Sequence, residues 1–169
     1  MKIIFVRNGE SSLKTDKLTL RGHLQVRDTK RFLKDEEFDA IYSSPQTRAL
    51  QTANILNSGR NVPLHILKGL DDRLPLPLEK EEEFKDDYKK YFFKYNYENE
   101  NFQTCKDYVD QVFNAMKEIL KDKKKDKTVV IVAHNATLIA INAFIHGIPE
   151  TNKIAWTQTK GGAVIKFLI

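Results

Sequence analysis

Short apolar runs alternate with longer stretches of helical spacing along the chain. Lys2 to Val6 (Lys-Ile-Ile-Phe-Val) stops abruptly at Arg7-Asn8-Gly9-Glu10, the pattern of a fully buried strand with a polar end. Residues 19–34 predict a helix that Thr19 can cap, with Leu20, Leu24, Thr29, Phe32 and Leu33 set among Arg and Lys. Phe38 to Tyr42 reads as a second strand, broken by Ser43-Ser44-Pro45. Gln46 to Leu56 then resumes a helical pattern through Ala49, Ala53 and Leu56, with Pro45 just inside its start. Val62 to Leu67 predicts a third strand, and Leu70 to Leu78 a loop. In 79–101, Phe84, Tyr88, Tyr91, Phe92 and Tyr95 fit one helical face, as a packed lid or core stripe would. Phe102 to Leu120 predicts an amphipathic helix. Thr128 to Ala133 (TVVIVA) is the strongest strand, and His134 and Asn135 follow it at once. A helix from Ala136 to His146 ends at Gly147 and Pro149, and Gly161-Gly162 opens a last strand, Ala163 to Leu168.

Strands alternating with helices predict an α/β fold: a three-layer α/β/α sandwich with a largely parallel central sheet. Residues 1–169 are expected to form a single domain, with 79–101 a lid or insertion segment. Ligands in such folds sit beyond the carboxyl ends of the strands. That is where Arg7-Asn8-Gly9-Glu10 and His134-Asn135 fall.

Composition narrows the picture. The 169 residues are 41% hydrophobic and 30% charged, enough for a core and against disorder. Cys105 is the lone cysteine, which excludes a disulfide scaffold and a Cys-rich zinc module. No apolar run approaches the roughly 20 residues of a membrane helix. The run 2–6 is too short for a signal-peptide core, so the cytoplasm is the expected compartment. Net charge is +5, much of it in Lys117 to Lys127, which reads as a solvated helix end running into a loop. There is no zinc-finger spacing and no aromatic RNA-binding strand, so neither nucleic acid nor membrane is an expected partner.

Arg7, Arg48 and His134 each abut an apolar strand or a helix start. Arginine forks pair with phosphate oxygens, and helix N-termini add N–H donors, so a site built from these groups favours a phosphoryl group. The surrounding motifs sharpen this. Phe5-Val6-Arg7-Asn8-Gly9-Glu10-Ser11 resembles the FVRHGES element of the histidine phosphatase, or phosphoglycerate mutase-like, superfamily. Leu18 to Gln25 resembles its LTxxGxxQ element, and Tyr42 to Ala53 its YSSPxxRAxQTA element. Val130 to His134 is similar to the strand bearing the family's second histidine. The four appear in family order over nearly the whole chain.

The resemblance implies a phosphoglycerate mutase-like fold and residue roles. Arg7, Arg48, His134, Ser11 and Asn135 would bind phosphate. Asp72, in a Leu70-Asp71-Asp72 element similar to the family's L-x-E, would protonate the leaving oxygen, with Asp71 and Glu79 as substitutes. Lys14 stands where the family often places an asparagine contact. No metal and no other cofactor is implied. The expected partner is a small phosphorylated substrate or inorganic phosphate, and nothing in the pattern sets an oligomeric state.

Position 8 departs from the family, which has its nucleophilic histidine there. An amide nitrogen is a poor nucleophile because its lone pair is delocalised into the carbonyl, although it still offers hydrogen bonds. His23, His65 and His146 lie where they do not replace it. The chain as written is therefore expected to be inactive or nearly so. The intact Arg7, Arg48 and His134 favour a phosphatase parent working through a phosphohistidine, with Asn8 a deliberate replacement of histidine. The alternatives are a native pseudophosphatase that binds phosphate ligands or a protein, and a phosphoglycerate mutase.

Overall fold

The computed structural model describes residues 1–72, 105–121, 126–147 and 159–169. In chain order these form β1 (Lys2–Arg7), α1 (Leu20–Phe32), β2 (Ala40–Ser43), α2 (Thr47–Asn57) and β3 (Leu64–Ile66). A 3₁₀ turn (Lys68–Leu70), α3 (Cys105–Ile119), β4 (Thr128–Ala133), α4 (Asn135–Ile145) and β5 (Val164–Leu168) follow. The expected aromatic helix in 79–101, with Glu79, lies outside the described residues, as do 122–125 of the basic stretch.

The strands make one five-stranded sheet in the order β3-β2-β4-β1-β5. β1, β2, β3 and β4 run parallel, and β5 joins β1 antiparallel. Side chains alternate across a strand, so β1 serves two cores at once. Ile4 and Val6 face one layer with Val26 and Leu33 from the α1 segment and Ala49, Ala53 and Leu56 of α2. Ile3 and Phe5 face the other with Tyr108, Val112 and Met116 of α3 and Leu138 and Ile141 of α4. Burial on both faces is why β1 and β4 read as continuous apolar runs rather than as alternation. The α/β/α sandwich expected from the alternation of elements is the architecture found.

Two local expectations are corrected. Of the positions read as the pattern of α1, Thr29 and Leu33 are buried, but Leu20, Leu24 and Phe32 are 81%, 54% and 67% exposed, and Gly22 and Val26 take the inner face in their place. The inner face carries a glycine because α1 crosses the turn after β1 at close range. A Cβ on Gly22 would lie 2.0 Å from the Glu10 carbonyl oxygen. Thr29 sits inside because its hydroxyl donates to the Gly162 carbonyl at 2.7 Å. Likewise, Pro45 lies outside α2: Gln46 is the N-cap, and without a side-chain cap of its own the helix start is held from the 11–18 loop. There the Asp16 carboxylate accepts from the Thr47 N–H at 2.8 Å.

Candidate active site

Four parallel strands deliver their carboxyl ends to one edge of the sheet. Because β4 lies between β2 and β1, His134 after β4 falls between Arg7 and Asn8 on one side and Ser44 to Arg48 on the other. The N-termini of α2 and α4 point the same way, which adds positive potential and N–H donors. The result is a cavity of about 800 Å³ whose walls include Arg7, Asn8, Ser11, Arg48, Asp72, His134 and Asn135. Sequence reasoning named all seven. Neither Lys14 nor Asp71 is part of its wall.

The turn after β1 is pinned by residues the motifs contained but for which no role was read. Gly9 N–H donates to Thr52 Oγ1 at 3.2 Å, and Glu10 N–H to Gln25 Oε1 at 2.8 Å. Leu18 N–H donates to Gln51 Oε1 at 2.7 Å. The glutamines and the threonine of the second and third motifs are thus pegs for the loop that follows Arg7 and carries Asn8 and Ser11. The start of α3 and α4 does the same for the acidic pair. Tyr108 Oη lies 2.9 Å from Thr137 Oγ1 and donates to the Asp71 carbonyl at 3.2 Å, fixing the backbone from which Asp71 and Asp72 project.

Asn8 is 7% exposed and His134 1%. Asn8 Nδ2 donates to the Gly9 carbonyl at 2.8 Å, and its Oδ1 lies 3.0 Å from His134 Nδ1. His134 Nε2 lies 2.9 Å from Ser44 Oγ, which is itself 3.2 Å from Asp71 Oδ1. Arg48 bridges two carboxylates: Nη1 pairs with Asp16 and Nη2 with Asp72 at 2.9 Å. Asp72 Oδ2 is 3.7 Å from His134 Nδ1. Asp16 was not anticipated from the sequence. Its one legible signal is its position three residues before the Thr19 cap, in a loop whose backbone turns back at φ +54°.

Burial first, then the charges of Arg48 and Arg7, hold the His134 imidazole well below the usual histidine pKa, so the ring favours neutrality in the empty site. Burial also lowers Arg7, partly offset by Asp72 and reinforced by Arg48. Burial raises Asp71, against the opposing effects of the Ser44 hydrogen bond, Lys68 and Arg48. The cavity thus presents two guanidinium groups, a neutral ring with an N–H, and an amide, balanced by Asp16 and Asp72. That set can surround a tetrahedral anion and deliver or accept a proton beside it. Among the described residues no group of three or more His, Cys, Asp or Glu is placed to hold a metal ion.

The family model of the histidine phosphatase superfamily (branch 1) matches residues 3–166. The chain belongs to the histidine phosphatase superfamily. Asn8 occupies the position of that superfamily's first-motif histidine. A curated relative, the uncharacterized phosphatase PhoE of Bacillus subtilis, is 27% identical over 161 residues, covering 86% of this chain and 77% of that protein. Solved structures agree on the fold. A putative α-ribazole-5′-phosphate phosphatase of Escherichia coli superposes with a TM-score of 0.82 at 19% identity, over 98% of this chain and 89% of its own. A mutant phosphoserine phosphatase of Entamoeba histolytica, crystallised with phosphoserine, gives 0.78 at 23% identity, over 99% and 90%. Among the described residues no helix of this histidine phosphatase-like chain is long and apolar enough to cross a membrane.

Proposed function

We propose that this site binds the phosphoryl group of a small phosphate monoester or inorganic phosphate, on a scaffold built for phosphomonoester hydrolysis. The convergence of Arg7, Arg48, Asn8 and His134 on one cavity supports the reading. In the hydrolytic form of the scaffold, histidine at position 8 attacks phosphorus in line, so that a P–N bond forms as the P–O bond to the leaving group breaks. Asp72, on the cavity wall beside Arg48, gives the leaving oxygen its proton. Water then attacks the phosphohistidine, breaking P–N and releasing phosphate. Ser11 and Asn135 supply further hydrogen bonds at the rim. Phosphoryl transfer depends on positioning and charge stabilisation, which the two arginines provide.

Asn8 keeps the binding half of this scheme and removes the chemical half. One Nδ2 proton is spent on Gly9 and Oδ1 faces His134, leaving the second Nδ2 proton to point at an anion. A lone pair that attacks is replaced by a donor that holds. Turnover is expected to fall by on the order of 10⁴–10⁶ relative to a histidine form. Asn8→His should restore hydrolysis of p-nitrophenyl phosphate and leave an acid-labile phosphohistidine on the protein. The second reading is a native binding module, favoured by how fully the Asn8 amide is built into its surroundings. A folded Asn8→His protein that stays inert across a panel of phosphate esters decides for that reading. Isotope exchange between phosphoglycerates in the same variant would reveal mutase chemistry.

A further inference from the structure

Behind His134 the hydrogen bonds close only if an extra proton is present. Asn8 gives an Nδ2 proton to the Gly9 carbonyl, so an oxygen, which can only accept, faces His134 Nδ1 across 3.0 Å. Nδ1 therefore carries hydrogen. Nε2 lies 2.9 Å from Ser44 Oγ, and Ser44 has one proton to give. If the ring is neutral, Ser44 must donate to Nε2, and Asp71, 3.2 Å away, must bring a proton of its own. If Asp71 is ionised, it takes the serine proton, and Nε2 must then be protonated, making the ring a cation. Either way the group holds one proton more than a neutral imidazole and a carboxylate would. In the first arrangement Ser44 Oγ donates once and accepts twice, from Asp71 and from the Gln46 N–H at 3.3 Å, which is its full capacity.

Ser44 beside His134 has the outline of an activated nucleophile, but it is fully buried and forms no part of the cavity wall, so no substrate atom reaches it. Its action runs through the ring. We propose that Asp71, Ser44 and His134 share this one proton, held on the Asp71 carboxyl in the empty site and passed through Ser44 to His134 when a phosphate dianion fills the cavity. The transfer balances: one proton moves from Asp71 to Ser44 Oγ while the serine's own moves to Nε2, and the negative charge gained at Asp71 matches the positive charge gained at His134. The charged groups around the ring are Arg7 at the end of β1, Arg48 of α2, and Asp71 and Asp72 after the 3₁₀ turn, whereas α4 contributes none. Burial and the two arginines disfavour a charged ring, and burial disfavours a charged Asp71 more than the Ser44 hydrogen bond, Lys68 and Arg48 favour one, so both shifts run toward a neutral pair with the proton on Asp71. A bound dianion offsets the arginines and reverses that preference. Asp71 and Ser44 are positioning residues, and their apparent pKa belongs to the group rather than to either alone.

The ligand half of this proposal rests on the anion-binding reading, whereas the empty-site half does not. In ¹⁵N-histidine-labelled protein, two-bond N–H spectra from about pH 5 to 8 should show His134 neutral, with hydrogen on Nδ1 and Nε2 bare. The opposite tautomer overturns the proposal whether or not any anion binds. With saturating inorganic phosphate at about pH 8, where most of the free anion is already the dianion, the ring should become imidazolium, and calorimetry in two buffers of different ionisation enthalpy should register almost no proton uptake. A ring that stays neutral, or that charges by taking a proton from the buffer, overturns it. In Asp71→Asn the ring should stay neutral with phosphate bound, or charge only with uptake of about one proton per site; charging without uptake in that variant overturns the relay. If no phosphate heat is seen at all, the anion-binding reading fails, and the tautomer alone decides where the proton rests.

Discussion

At position 8 an imidazole and a carboxamide differ by one usable lone pair, and that difference separates holding a phosphate from attacking it. The surroundings of Asn8 accept the amide without strain, since both of its polar ends find partners in a nearly closed pocket. Arg48 illustrates the opposite economy. Its fork is already engaged by Asp16 and Asp72, so the guanidinium is aimed before any ligand arrives. Arg48→Ala should weaken phosphate binding about 10- to 150-fold, the value of a charged hydrogen bond of about 1.5–3 kcal/mol. Titration calorimetry against the parent chain checks this, and unchanged affinity would remove Arg48 from the binding set.

At the scale of elements, the site depends on how closely α1 and α2 approach the turns beside them. Gly22 is needed because the α1 backbone passes over Glu10 with no room for a Cβ. Gly22→Ala should cost about 1–3 kcal/mol, the range for overpacking, and should also weaken phosphate binding by moving the turn that bears Asn8. Urea denaturation and calorimetry on one preparation read both effects. A folded, fully stable variant would mean that the contact relaxes freely. Asp16 ties the 11–18 loop to the start of α2 through Thr47. Removing that cap in Asp16→Ala should cost about 0.5–2 kcal/mol, measured by the same denaturation.

The whole molecule places one buried imidazole directly after β4, a strand whose side chains serve both cores. On unfolding, that ring titrates near its ordinary pKa of about 6.5, whereas in the folded protein burial and the two arginines keep it neutral to lower pH. Between those values the unfolded chain binds more protons, so stability is fully present above about pH 6.5 and is lost as pH falls below it. The raised Asp71 has the opposite sign: its contribution is present below the ordinary carboxylate pKa and is lost as pH rises through the folded value. Urea unfolding at neutral and mildly acidic pH should show the histidine-driven loss, and His134→Gln should flatten it. An equally steep slope in that variant would assign the acid sensitivity elsewhere. The sheet itself is the common wall of both cores, so Ile131→Ala should cost about 2–5 kcal/mol wherever the pH is set.

Much of this molecule was written locally. Apolar runs buried on both faces gave β1 and β4, small residues at helical spacing gave α2, and the punctuation of Gly147 and Gly162 gave the ends around α4 and β5. The motifs placed Arg7, Asn8, Arg48, Asp72 and His134 in advance, since such groups sit directly after strands or in helix first turns, where chain geometry leaves little choice. The inner face of α1 is only partly legible: Thr29 and Leu33 are buried as the pattern suggests, but Leu20, Leu24 and Phe32 are exposed, and their places go to a glycine and a valine that fit against a crossing backbone. Asp16, and the line from Asp71 through Ser44 to His134, were invisible for a related reason. Sequence periodicity reports which neighbours along one element share a face. Which side chains meet across 27 or 90 positions of chain follows from the order of parallel strands and the packing of helices on them, and so from the tertiary structure alone.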